Sequence, residues 1–283
     1  MTQTDFSTSA NELDSELSTE DFIITLFCKV DDFCLSDKEL RWEVKHPQGK
    51  LYPSEIITLG MLYALKGGGQ RAFYRWLKRD YAHLFPRLPE RTRLFRSLNT
   101  HHLWCERFRA QPTVLGVCAS YGIELIHPIR EGRSPKPLGK KGKSSHRWIV
   151  GVKFAPLLNQ GGLIVDWDWN TANVHDSAFL PLIQQFEERM IVLADSGFHA
   201  AKGDPSNLKI APRGQWNERM IIETFNSMVQ HVCHLKHASQ RVGRYLGARL
   251  AYTVALFNTL KLWDGLNFDE HGVLHTSIAR FAL

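Results

Sequence analysis

Acidic side chains positioned to share a metal ion are the residues of this chain with the most readable chemistry. Asp195 closes a short apolar run, residues 190–194, and is followed at once by Ser196 and Gly197. A run of that length bounded by small residues reads as a buried strand with an acid at its C-terminal tip. Sheets in α/β proteins carry their ligand chemistry at that end of the strands. Glu223 belongs to a helix predicted from about Trp216, where Met220, Ile221, Phe225 and Met228 recur at spacings of one or two turns. A strand-end Asp and a helix Glu can meet over a divalent metal, an ion that prefers oxygen ligands. Asp166 and Asp168 in LIVDWDW alternate with Val165, Trp167 and Trp169, so both acids face one side of a strand. They compete for a third ligand position; the plainer reading makes them a solvent-facing strand edge.

Other groupings carry less chemistry. His231, Cys233, His234 and His237 in HVCHLKH suggest zinc, yet Cys233 and His234 diverge by about 100° on a helix and no second Cys pair stands nearby. Gly67, Gly68 and Gly69 are a helix stop, since no Lys-Ser/Thr pair follows them as a phosphate-binding loop requires. Asp176 precedes an apolar periodic segment and reads as a helix N-cap, not as a catalytic acid. In RSPKPLGKKGKSSHR, Arg133, Lys136, Lys140, Lys141, Lys143 and Arg147 are interleaved with Gly, Pro and Ser. A flexible loop of that composition, with no acid in it, is suited to phosphate contact or is merely solvated.

NVHDSAF (173–179), LADSGFH (193–199) and RMIIETF (219–225), in that order, resemble the DDE-type insertion-sequence transposases of the retroviral-integrase superfamily. The resemblance covers about residues 50–263. The family's helix motif, Tyr-x2-Arg-x3-Glu-x6-Lys, meets Trp216, Arg219, Glu223 and Gln230 here. Arg and Glu match, the Tyr is replaced by another aromatic and the Lys by a neutral amide. The resemblance implies a site of three carboxylates holding two Mg2+ or Mn2+ ions, which activate the attacking oxygen and stabilise the leaving one. Asp195 and Glu223 correspond to the second and third ligands. The first is expected immediately before Ser120, where this chain has Ala119, a side chain with no donor atom. By the same resemblance Arg219 contacts phosphate near the scissile bond. Trp216 stacks on an unpaired base, unless it is simply core.

The elements that must carry these residues follow from the rest of the chain. Residues 1–20 are polar and acidic and are expected to be disordered. Helical patterns begin at Asp21, after a cap at Ser54, and in three further segments separated by Pro86, Pro89 and Asn99, giving an all-helical N-terminal domain over residues 21–109. There Arg71, Arg75, Lys78, Arg79, Arg87, Arg91, Arg93 and Arg96 concentrate charge for DNA-end recognition or dimerisation, or form an ordinary solvated helix surface. A strand over residues 114–119 running on into a polar loop, strands over 148–154 and 163–169, a helix through Glu188, the Asp195 strand, a short strand over 208–211 and two helices follow. That is the order of an RNase H-like α/β fold, a mixed sheet flanked by helices, over residues 110–265, with a C-terminal tail over 266–283.

Thirty-five Lys and Arg against 29 Asp and Glu, a net charge of +6, favour nucleic acid as partner. Five cysteines without a paired framework, no signal-peptide region and no bilayer-length apolar run predict a soluble, cytoplasmic protein. The resemblance implies a prokaryotic transposase that binds terminal inverted repeats as a homodimer or larger assembly, cleaves element ends and transfers 3′ hydroxyls to target DNA, with this chain disabled at Ala119. The alternatives are an RNase H-like nuclease or resolvase, and a non-catalytic DNA-binding derivative.

Overall fold

The computed structural model describes residues 17–133, 138–144, 147–210, 219–265 and 277–283. Its first half is helical. Helix α1 (Thr19–Ser36) starts within the segment expected to be disordered, because the Ser18 hydroxyl accepts the Asp21 N–H at 3.1 Å. Helix α2 (Pro53–Lys66) is capped at Tyr52 and not at Ser54. Pro53 presets the first helical φ, and the Glu55 carboxylate reaches back to the Tyr52 N–H at 2.7 Å. Helices α3 (Gln70–Asp80) and α4 (Arg91–His101) follow. α4 runs straight through Asn99, expected to be a break, since its side-chain amide donates to the Phe95 carbonyl and stays within the helix. A 3-10 stretch, His102–Phe108, leads to the sheet.

Strands β1 (Leu115–Cys118) and β2 (Tyr121–Ile126) run end to end along one edge of β4 (Arg147–Asn159), in one antiparallel register as far as Glu124, after which it shifts by one residue. Cys118 opposite Leu157 and Tyr121 opposite Phe154 leave Ala119 and Ser120 facing Pro156 and Ala155. Pro156 has no N–H to donate, and the ladder is interrupted there. Strand β3 (Lys140–Ser144) and β5 (Ile164–Thr171) share the opposite edge of β4. Helix α5 (Leu180–Gln184) returns the chain to β6 (Ile191–Ala194), which is parallel to β1, and β7 (Leu208–Ile210) is parallel to β6. The sheet is mixed: an antiparallel half built on β4 and a parallel half of β1, β6 and β7.

Residues 122–126 form β2 and do not run into a loop, because every second residue (Ile123, Leu125) is buried in the sheet. Residues 140–144 are strand, not flexible loop: Gly142 lies so close to the Ala172 carbonyl that no side chain would fit, and the lysines point outward as edge-strand lysines do.

Helices α6 (Arg219–His231) and α7 (Gly243–Asp264) cover one sheet face. Their buried residues form one hydrophobic cluster with α1, α2 and α4. α7 is buried round most of its circumference, which explains its lack of an amphipathic pattern. The end of the chain packs back on this cluster, Phe281 lying near Phe22 and Trp263. A second, smaller cluster joins α5 to the other sheet face.

The turn after α6 closes against the end of α2. The Leu235 N–H bonds the Val229 carbonyl at 3.1 Å across His234, whose φ of 54° is the left-handed position that ends a helix. The His234 ring lies on Gly67, where an added β-carbon would stand 2.6 Å from it, and Gly67 itself has φ 68° and ψ −160°. Gly67→Ala is therefore expected to lower stability by about 1–3 kcal/mol through backbone strain plus the ring clash. Urea denaturation of Gly67→Ala and of Gly67→Ala/His234→Ala checks this, with only partial recovery expected in the double variant.

Candidate active site

Strands β1 and β6 lie side by side, Leu115 level with Ile191, Gly116 with Val192 and Val117 with Leu193. Continuing that register brings Ala119 level with Asp195, one strand spacing away, about 4.8 Å. Side chains alternate along a strand, so Ala119 shares a face with Val117, and Asp195 with Leu193. Val117 and Leu193 belong to the hydrophobic cluster that also holds Ile222, Phe225 and Val229 of α6, and Ala119 packs against that cluster. The helix bearing Glu223 thus covers the face lined by Val117, Ala119 and Leu193, at the end of which Asp195 follows, with the Glu223 side chain exposed. Asp195 caps the short turn Ser196–Phe198, its carboxylate accepting the Gly197 N–H at 2.9 Å.

Sequence reasoning missed Asp176. The cap of the turn Asp176–Phe179 is His175, whose Nδ1 accepts the Ser177 N–H, so Asp176 is not the N-cap. Its carboxylate instead accepts the Ser120 hydroxyl at 2.6 Å and the Lys153 ammonium at 2.7 Å. Its other oxygen and one oxygen of Asp195 each lie 2.9 Å from the point where a Gly197 side chain would begin, which puts the two carboxylates within twice that distance of each other. Cys118, next to these acids, is 1% exposed; burial pushes its thiol well up, and the charges of Asp176 and Asp195 add to that. The available signal was the place of Asp176 inside NVHDSAF, which local capping rules could not convert into a contact with residues 120 and 153.

Asp166 and Asp168 are not drawn to Asp195. Their strand is separated from β6 by β4 and β1, three spacings or about 14 Å. Asp166 accepts Arg109 at 2.7 Å and Gln185 at 2.5 Å, and exposed Asp168 accepts its neighbour's N–H at 2.7 Å. In HVCHLKH, Cys233 is buried with its thiol pushed up to about 12 by burial, and His237 lies 3.6 Å from Glu124. The five cysteines are free thiols.

Of the basic residues, Arg133, Lys140 and Lys143 are exposed, Lys141 reaches Glu131 at 3.5 Å and Arg147 reaches Glu124 at 3.3 Å. Lys136 and Trp216 fall outside the described residues, and Arg219 opens α6. On α3, Arg71, Arg75 and Lys78 form an exposed stripe opposite buried Phe73 and Leu77, while Arg79 is held by Asp80 at 2.6 Å. Arg71 and Arg75 share an open groove with Arg91 at the start of α4.

Among the described residues no three His, Cys, Asp or Glu side chains converge to hold a metal ion. Ala119 supplies no donor, and Asp176 is already bound to Lys153 and Ser120. The residues present do not complete a two-ion site. A scan against models of protein families matches none, and a search of curated proteins finds no match to this chain. No helix among the described residues is long and apolar enough to cross a membrane.

Proposed function

We propose that this chain is a DDE-type transposase of RNase H-like fold that binds the ends of its element and is disabled for strand cleavage at Ala119. One observation carries the reading: the register of β1 and β6 sets Ala119 level with Asp195, beneath the helix that bears Glu223. The strand order β5-β4-β1-β6-β7, three antiparallel and two parallel, supports the same fold. The ions proper to such a site are Mg2+ or Mn2+, and with Ala at the first position this chain lacks the full donor set for them. What it retains is the surface for DNA: the exposed stripe of α3, the groove shared with Arg91, and the outward lysines of β3.

Phosphate contacts of this kind release counterions, so affinity depends steeply on salt. The expected result is binding of labelled terminal-repeat duplex that weakens roughly 10³-fold between 50 and 200 mM salt, if six or more phosphates are neutralised. Two chains per paired-end complex are expected by mass measurement. Equal affinity for the terminal repeat and for a scrambled duplex would favour the non-catalytic DNA-binding derivative, and salt-independent or absent binding would overturn the proposal.

A further inference from the structure

We infer that Asp176 is a positioning residue that braces the two strand ends of the proposed carboxylate site from the opposite face of the sheet; this rests on the reading of that site given above. Ser120 follows Ala119, and alternation turns its side chain to the face opposite Ala119. On that face its hydroxyl donates to the Asp176 carboxylate at 2.6 Å. Lys153 of β4, the strand that β1 and β2 both pair with, donates to the same oxygen at 2.7 Å and is largely buried, its side chain 14% exposed. The remaining carboxylate oxygen stands over Gly197, whose N–H holds the Asp195 carboxylate. One acid therefore bonds the break between β1 and β2 to the central strand β4 and packs against the turn that orients Asp195.

The brace meets a specific weakness. The β1–β2 ladder is interrupted opposite Pro156, at the two residues that include position 119. Backbone hydrogen bonds do not hold those two residues in register, and a charged hydrogen bond in a half-buried setting does. A β-carbon added at Gly197 would stand 2.9 Å from an oxygen of each carboxylate, so a side chain there would push on both. The contacts of Asp176 are with Ser120, Lys153 and Gly197, so its effect on the site travels through Ser120 and the 196–198 turn.

Two measurements test this. In the unmodified chain, hydrogen exchange read by mass spectrometry is expected to accelerate about tenfold in peptides spanning 118–122 and 195–199 on Asp176→Asn, with α2 and α7 unchanged. In the Ala119→Asp chain, Asp176→Asn is expected to lower kcat for end cleavage roughly 10- to 100-fold, the range for residues supporting a ligand shell, with KM for DNA within about twofold. Lys153→Met should reproduce the loss, Lys153→Arg should largely restore it, and the Lys153→Met/Asp176→Asn double variant should be no worse than either single. Unchanged exchange overturns the brace whatever the activity. Faster exchange beside an active Ala119→Asp chain whose kcat ignores Asp176→Asn overturns its positioning role. Faster exchange beside an inactive Ala119→Asp chain supports the brace and counts against the transposase reading instead.

Discussion

Ala119→Asp is expected to raise metal-dependent cleavage of pre-cut terminal-repeat DNA by roughly three orders of magnitude, the scale of one correctly placed electrostatic group. The backbone is already suited to it. Position 119 is level with Asp195, faces the side covered by α6, and is only half-buried, so a carboxylate there would reach solvent without being entombed. A carboxylate at 119 would complete the donor set for a two-ion site, whose ions, when bound, would supply stabilisation of the attacking and leaving oxygens. Asp195→Ala or Glu223→Ala in the restored chain should return activity to background. If Asp166 or Asp168 were the third ligand, the unmodified chain would cleave and Asp168→Ala would silence it. Robust cleavage by the Ala119 chain would therefore overturn the assignment.

Arg249→Ala should cost about 3–5 kcal/mol of folding stability, the largest effect expected of any single substitution outside the site. Arg249 is fully buried, and its guanidinium donates to the carbonyls of Tyr63, Ala64 and Cys233, the last two at 2.8 and 3.1 Å. Tyr63 and Ala64 belong to the last turn of α2, and Cys233 to the turn that ends α6. The Tyr63 carbonyl also accepts the Gly67 N–H at 3.3 Å, so the guanidinium matters most to the Ala64 and Cys233 carbonyls, and both helix ends carry partial negative charge. The cation also lies over the Tyr63 ring at 4.7 Å, while burial pulls its pKa down. Truncation removes the buried donor from all three acceptors, leaves the Ala64 and Cys233 carbonyls without it, and opens a cavity. Arg249→Met, which keeps most of the volume, should lose less than Arg249→Ala, and Arg249→Lys cannot span all three carbonyls. Urea denaturation reads the series; a loss under about 1 kcal/mol for Arg249→Ala would contradict this account.

What the amino-acid sequence determined by itself is what short-range physics controls. Apolar runs and helical stripes located the strand ending at Asp195, the helix of Glu223 and the N-terminal helices, because burial imposes periods of two or 3.6 residues on any chain. Gly67 marked the end of α2, since its backbone angles exclude other residues. Tertiary structure decided what depends on a distant partner. The basic segment 140–144 became a strand because β4 offered it an edge, against its own weak propensity. No local pattern marks Arg249 as buried; two helix ends closing round it decide that. Asp176 read as a cap because capping is judged over three or four residues, whereas its partners Ser120 and Lys153 are remote in sequence. The alignment of Ala119 with Asp195 was implied by the resemblance but not legible in the residues themselves, because strand register is set by the pairing of whole strands and not by the residues that end them.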